Sequence, residues 1–262
     1  MSRLLTTAAQ TSRGVFASAR WLLEAPIANA RIAYLAADKE AARHIIEGQF
    51  ARFLKTCRVT VGVDGILPPA GVGCVICNNE PSFIDVAAFC LAMWPYVDQA
   101  SGTDLYGYFP FGRASTAKSG ISLISRGNRQ ATDRLLADMV ARVRAGQRVS
   151  WGGEGRIHGQ DGVGRFKQGA SLIAIRAQAP VVPVTFYGGH QVMPFRKLRA
   201  RPGHVQIRFG APIETTGLDD SDARGLADRL QAISAATYAT LKAEMAGRAD
   251  ERAASQLDAA RL

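Results

Sequence analysis

The chain has 262 residues, 47% of them hydrophobic and 21% charged, with a net charge of +10. That is a globular composition, and it excludes a disordered, collagen-like or low-complexity protein. The positive excess points to an anionic partner, and the chain shows neither a zinc-finger nor a ribonucleoprotein pattern, so a lipid surface or a phosphate-bearing substrate is expected rather than nucleic acid.

In chain order, residues 2–23 predict a helix, with Leu5, Ala8, Ser12, Phe16, Ala19 and Leu23 at helical spacing and Arg3, Arg13 and Arg20 beside them. Pro26 is expected to break it, and a second helical pattern runs to about Lys55. The segment 1–57 therefore reads as a basic amphipathic pair, which either docks on an anionic membrane face or packs on a core. Short β-branched runs follow at 58–64, 73–78, 121–125, 148–151, 181–187 and 204–209. Helical patterns at 84–93, 129–145, 167–178 and 220–246 alternate with several of them. Such alternation predicts an α/β fold over 58–246, a central sheet flanked by helices. The polar tail 247–262 is expected to fray.

Two features limit the chemistry. The longest apolar run, Val86–Val97, has 12 residues and a proline, too short to span a bilayer, and arginines interrupt the N-terminus as a signal peptide. Cys57, Cys74, Cys77 and Cys90 are too few for a disulfide framework and suit a reducing cytoplasm. Cys74 and Cys77 form a C-x-x-C inside a strand, where positions three apart face opposite ways, so they read as core residues rather than a metal pair.

The candidate chemistry lies where strands end. The run 78–85, N-N-E-P-S-F-I-D, closes one strand and opens a helix, the position where α/β folds place ligand sites. Downstream, W-G-G-E-G-R-I-H-G-Q-D-G-V-G-R-F-K-Q-G is a glycine-rich loop feeding a helix, able to cradle an anion but lacking the Walker ending. The segment 162–213 is rich in Lys and Arg and contains no Asp or Glu.

With these blocks the chain resembles the glycerolipid acyltransferases typified by lysophosphatidic-acid acyltransferase. The family's N-H-x-S-x-x-D is matched by Asn79–Asp85, its G-x5-R by Gly120–Arg126, its F-P-E-G-T-R and F-K-x-G by Gly153–Ile157 and Phe166–Gly169, and its V-P-V-V-P-V by Ala179–Val184. The resemblance implies a mostly parallel sheet and transfer of a fatty acyl group to the hydroxyl of a lysolipid. The donor would be acyl carrier protein or acyl-CoA, with no cofactor and no metal. The expected setting is cytoplasmic, peripheral on the inner membrane face.

Two departures stand out. Glu80 occupies the place of the family's general-base histidine, and Ile157 that of an arginine that holds the acceptor phosphate. A histidine near about 6.5 is better poised than a glutamate near about 4.3. Two carboxylates sharing a proton raise one pKa, so Glu80 with Asp85 forms the candidate catalytic pair. Arg126, Glu154, Gly155, Arg156 and Lys167 are the candidate substrate-binding residues. Either Arg156 substitutes from one position earlier and the acceptor is 1-acylglycerol-3-phosphate-like, or the acceptor lacks a glycerol phosphate, as a lyso-amino-lipid does. The alternatives stay open: a catalytically silent lipid- or acyl-binding member of the fold, His158 as a replacement base, or a divalent ion on Glu80, Asp85 and Glu154. Glu80 and Asp85 also suit first-turn acids favoured by a helix dipole. Phe89, Leu91 and Trp94 read as core.

Overall fold

The computed structural model describes residues 2–259 except Pro81, Arg126, His158, Phe195, Arg196 and Leu198, with side chains described between 11 and 248. Two helices open the chain, α1 (Ser2–Leu35) and α2 (Lys39–Cys57). Contrary to expectation, α1 continues through Pro26. Proline removes one helical hydrogen bond, but Ala25, Ala28 and Ile32 are buried on one side of the same stretch, and that packing holds the helix together. The break comes later, where the Asp38 carboxylate accepts the Ala41 N–H at 2.8 Å and caps α2.

The rest alternates strand and helix: β1 (Val59–Gly65), β2 (Cys74–Asn78), α3 (Phe83–Ala92), β3 (Gln99–Thr103), α4 (Gly112–Lys118), β4 (Ile121–Ile124), α5 (Arg129–Arg144), β5 (Arg148–Gly152), α6 (Gly169–Ala177), β6 (Val181–Tyr187), α7 (Gly189–Val192), β7 (Gly203–Phe209) and α8 (Ala223–Ala259). The strands form one seven-stranded sheet in the order β1-β7-β6-β2-β5-β3-β4. All neighbours are parallel except β6 and β7. This is the α/β class expected, a mostly parallel sheet flanked by helices behind an N-terminal helical pair.

The core lies on both faces of β2. Cys74 and Ile76 join α2 and α3 through Phe50, Phe53, Leu54 and Ile84 on one face. Val75 and Cys77 meet Met139, Val143, Ile173 and Leu230 of α5, α6 and α8 on the other. The two cysteines thus point to opposite faces, and both are free thiols. Phe89, Leu91 and Trp94 pack against the first of these clusters.

The helical pair is fastened to the sheet by Arg43, which donates to the carbonyls of Val97, Asp98 and Ser119 at 2.8–3.0 Å. Its guanidinium stacks 4.3 Å from the Trp94 ring. Two further expectations need correcting. The segment 99–103 carries no β-branched run, yet it forms β3 because β4 and β5 offer it parallel partners on both sides. Helix α8 does not end near Ala246 but continues to Ala259, because the Ala, Arg, Glu and Gln of the polar tail are good helix formers.

Candidate active site

Three parallel strands end side by side, and each is followed by a residue of the site: Glu80 after β2, Glu154 after β5 and Gly189 after β6. Backbone and side-chain bonds lock this corner. The Gly153 N–H donates to the Asn78 carbonyl at 2.8 Å, coupling the ends of β2 and β5. Asn79, fully buried, brackets the Phe186 peptide of β6, accepting its N–H at 2.7 Å and donating to its carbonyl at 3.1 Å.

Glu154 is buried, and its two oxygens bridge two segments. Oε2 accepts the Glu80 backbone N–H at 3.1 Å, and Oε1 accepts the Gly164 N–H at 2.8 Å. Asp85 serves as the third residue of a capping box on α3. Its Oδ2 accepts the Ser82 N–H at 2.7 Å, while the Ser82 hydroxyl donates to the Met193 carbonyl at 2.7 Å. Its Oδ1 is buried with no hydrogen-bond partner among the described residues.

Two glycines make room for the carboxylates. A Cβ on Gly152 would fall 2.5–2.7 Å from the Glu80 carboxyl group, and one on Gly189 would fall 2.0 Å from Asp85 Oδ1. Both side chains therefore rest directly on main chain at the strand ends.

Burial dominates the electrostatics. It pushes the Asp85 pKa up to about 8, against the Ser82 N–H bond that lowers it and with the charges of Glu154 and Glu80 adding. Burial also raises Glu154 to about 7, opposed by the Gly164 and Glu80 N–H groups. The Tyr106 phenol is raised by burial first, then by Cys90 and Glu80, and the Cys77 thiol by burial first, then by Glu80 and Glu154. Neither is a neutral-pH nucleophile.

The structure thus brings Glu80, Asp85 and Glu154 into electrostatic reach of one another. Lys167 lies beside Gly155, the residue after Glu154, its Nζ 3.2 Å from where a Gly155 Cβ would stand, with Gly155 at φ +67°. Lys167 and Arg156 are both exposed on this rim. Arg126 and His158 lie outside the described residues. Among the described residues no group of three His, Cys, Asp or Glu side chains is arranged to hold a metal ion.

Sequence reasoning carried Asn79 only as the first residue of its motif, without a role, and missed Tyr106, Gly152, Gly189 and His190, whose places depend on long-range approach. His190 pairs with an acid, its Nε2 3.3 Å from Asp161 Oδ1, but its Nδ1 is engaged with the Tyr238 hydroxyl at 2.9 Å. With both ring nitrogens engaged, it does not stand in for the absent motif histidine.

Fold and site define an α/β protein whose acidic centre sits at the carboxyl ends of parallel strands. The fold is similar to that of the 1-acyl-sn-glycerophosphate acyltransferase PlsC of Thermotoga maritima, with a TM-score of 0.70 and 18% identity, covering 89% of this chain and 98% of that one. Residues 58–187 match the family model described as Acyltransferase. A putative 1-acyl-sn-glycerol-3-phosphate acyltransferase of Caenorhabditis elegans is 30% identical over 179 residues, 66% of this chain and 62% of that protein. Human 1-acyl-sn-glycerol-3-phosphate acyltransferase beta is 27% identical over 156 residues, 59% of this chain and 56% of that protein. The chain thus matches less than two thirds of the length of these relatives. It belongs to the glycerolipid acyltransferase family.

Proposed function

We infer that this protein transfers a fatty acyl group from acyl-CoA or acyl carrier protein to the hydroxyl of a lysolipid. The observation that carries the reading is the convergence of Glu80, Asp85 and Glu154 at the strand ends, inside the segment that matches the acyltransferase family. Asp85, pushed up to about 8 by burial, keeps a proton near neutral pH. Glu80 then takes the acceptor hydroxyl proton as the oxygen attacks the thioester carbonyl. The C–S bond breaks, the ester forms, and the proton passes to the departing thiolate. Arg156 and Lys167, with Arg126, bind phosphate or headgroup; the isoleucine at 157 favours an acceptor with a lighter anionic headgroup, such as a lyso-amino-lipid.

Access to a bilayer substrate comes from peripheral docking on an anionic membrane face. No described helix is long and apolar enough to cross a membrane. The apolar stripe of α1 is instead exposed, Phe16 by 60%, Leu23 by 76% and Ile27 by 63%. A second reading, a silent lipid-binding member, draws on one observation: Asp85 is already engaged in capping α3.

A mass-spectrometric transfer assay decides between them, using palmitoyl-CoA and palmitoyl-acyl carrier protein with lysophosphatidic acid and lyso-ornithine lipid. Product from the parent chain, reduced about 100-fold in kcat by Glu80→Gln, is expected for a general base. Lipid binding without product from any pair supports the silent reading.

A further inference from the structure

The long helix α8 reaches the glycine-rich loop with a row of polar side chains. Arg224, Gln231 and Tyr238 are spaced seven residues apart and Lys242 follows one turn later, so all four share one side of the helix. Each grips the loop. Arg224 Nη1 donates to the Phe166 carbonyl at 3.0 Å, and Gln231 Oε1 accepts the Phe166 N–H at 3.1 Å, so both polar groups flanking that residue's Cα are held. Tyr238 donates to Asp161 Oδ1 at 3.0 Å, and Lys242 Nζ lies 2.6 Å from Oδ2. His190 of α7 completes the grip on Asp161. Val163, between the two anchors, packs on Tyr187, Tyr238 and Leu241.

On its inner side the same loop holds the site. The Phe166 ring lies against Gly153, where a Cβ would stand 2.7 Å from it. The Lys167 N–H donates to the Gly153 carbonyl at 2.7 Å, and the Gly164 N–H holds Glu154, whose other oxygen holds Glu80. An unbroken series of contacts therefore runs from α8 through residues 161–167 to Glu154 and Glu80.

We propose that Arg224, Gln231, Tyr238 and Lys242, with His190, are positioning residues that set Glu154 and, through it, Glu80 for acyl transfer. The inference rests on the proposed reaction for its catalytic consequence, but its structural content can be read without turnover. None of these side chains touches a reacting atom; their effect is on the geometry in which Glu80 meets the acceptor hydroxyl.

The test uses the full chain with three variants. Gln231→Leu removes the acceptor for the Phe166 N–H, Gln231→Glu keeps one, and Tyr238→Phe removes only the hydroxyl while leaving the ring edge-to-face with Tyr187 at 5.0 Å. Residue-resolved amide hydrogen exchange is expected to speed about tenfold at Glu80 and Gly164 in Gln231→Leu and Tyr238→Phe, with α3 and β2 unchanged. With palmitoyl-CoA and the accepted lysolipid, kcat should fall about tenfold with KM within about twofold, and Gln231→Glu should recover most of it. Unchanged exchange at Glu80 while the loop loosens overturns the proposal, as does a uniform loss of protection across the fold. So does a rise in KM at unchanged kcat. If the parent transfers no acyl group to any acceptor, the reaction reading fails, and the exchange results alone decide whether α8 positions Glu80.

Discussion

Asp85 is a carboxyl group that the fold holds away from water, and its titration should be visible in stability. Its ordinary value is 3.8 and its folded value about 8, so between these the folded state binds more protons than the unfolded one. Stability from this group is therefore complete at low pH and is lost as pH rises from about 4 to about 8. Asp85→Asn keeps an acceptor for the Ser82 N–H but does not titrate. Its melting temperature relative to the parent should climb across that window, because Glu154 and the other carboxylates are common to both proteins. A difference that stays constant with pH would refute the assignment.

The two glycines give a paired test at the same scale. Gly152→Ala meets only the movable end of Glu80, so it should cost less than about 1 kcal/mol in urea unfolding yet lower kcat about tenfold by displacing the carboxylate. Gly189→Ala meets Asp85, which the capping box pins, and should cost about 1–3 kcal/mol. Glu80, Asp85 and Glu154 were legible because their motif spacing survives in the sequence. Gly152 and Gly189 were not, since nothing local to them shows that a side chain from another strand end would rest on their backbone.

Among elements, β2 and β6 were readable because they are buried on both faces and so carry nearly continuous apolar runs. The strand Gln99–Thr103 was not, because its residues have weak strand preference and its form is imposed by neighbours on either side. The N-terminal pair shows the same division. Its helices follow from periodicity, but the break fell at 36–38 rather than at Pro26 because buried neighbours on α1 outweighed the proline. Among the side chains that seat the pair is Arg43, whose guanidinium serves three carbonyls from two segments, at 97–98 and 119. Arg43→Ala should lower unfolding free energy by about 2–3 kcal/mol, since charged donors to buried carbonyls are costly to lose. Arg43→Lys should recover little, because an ammonium cannot reproduce the planar fork. A urea midpoint for Arg43→Ala equal to the parent's would show that α2 is held by its apolar face alone.

For the whole molecule, the net charge of +10 and the exposed side of α1 act together. Phe16, Leu23, Ile27 and Tyr34 are spaced seven, four and seven residues apart and form one outward stripe. Arg13, Arg20 and Arg31 run beside it at compatible spacing. The stripe continues onto the turn after β3, where Phe111 packs on Tyr34 with ring centroids 5.5 Å apart and Tyr108 is 74% exposed. On another side of α1, Gly14 lies so close to Ala200 that a Cβ would fall 2.2 Å from its carbonyl oxygen, which brings Lys197, Arg199 and Arg201 near the helix. Arg199 also donates to Thr11 at 3.2 Å. An apolar stripe edged by arginines suits an anionic bilayer surface, where each basic residue contributes about 1 kcal/mol and apolar burial about 25 cal/mol per Å². The full chain should therefore sediment with phosphatidylglycerol-containing vesicles. Raising salt from 0.1 to 1 M shortens the screening length from about 10 to about 3 Å and should weaken binding without abolishing it. The pair Leu23→Glu and Ile27→Glu, exposed and outside the site, should reduce binding at least about tenfold at either salt concentration while leaving the melting temperature unchanged. Absence of parent binding at low salt would remove the docking surface from the account, whereas binding lost entirely at high salt would reduce α1 to a charged patch.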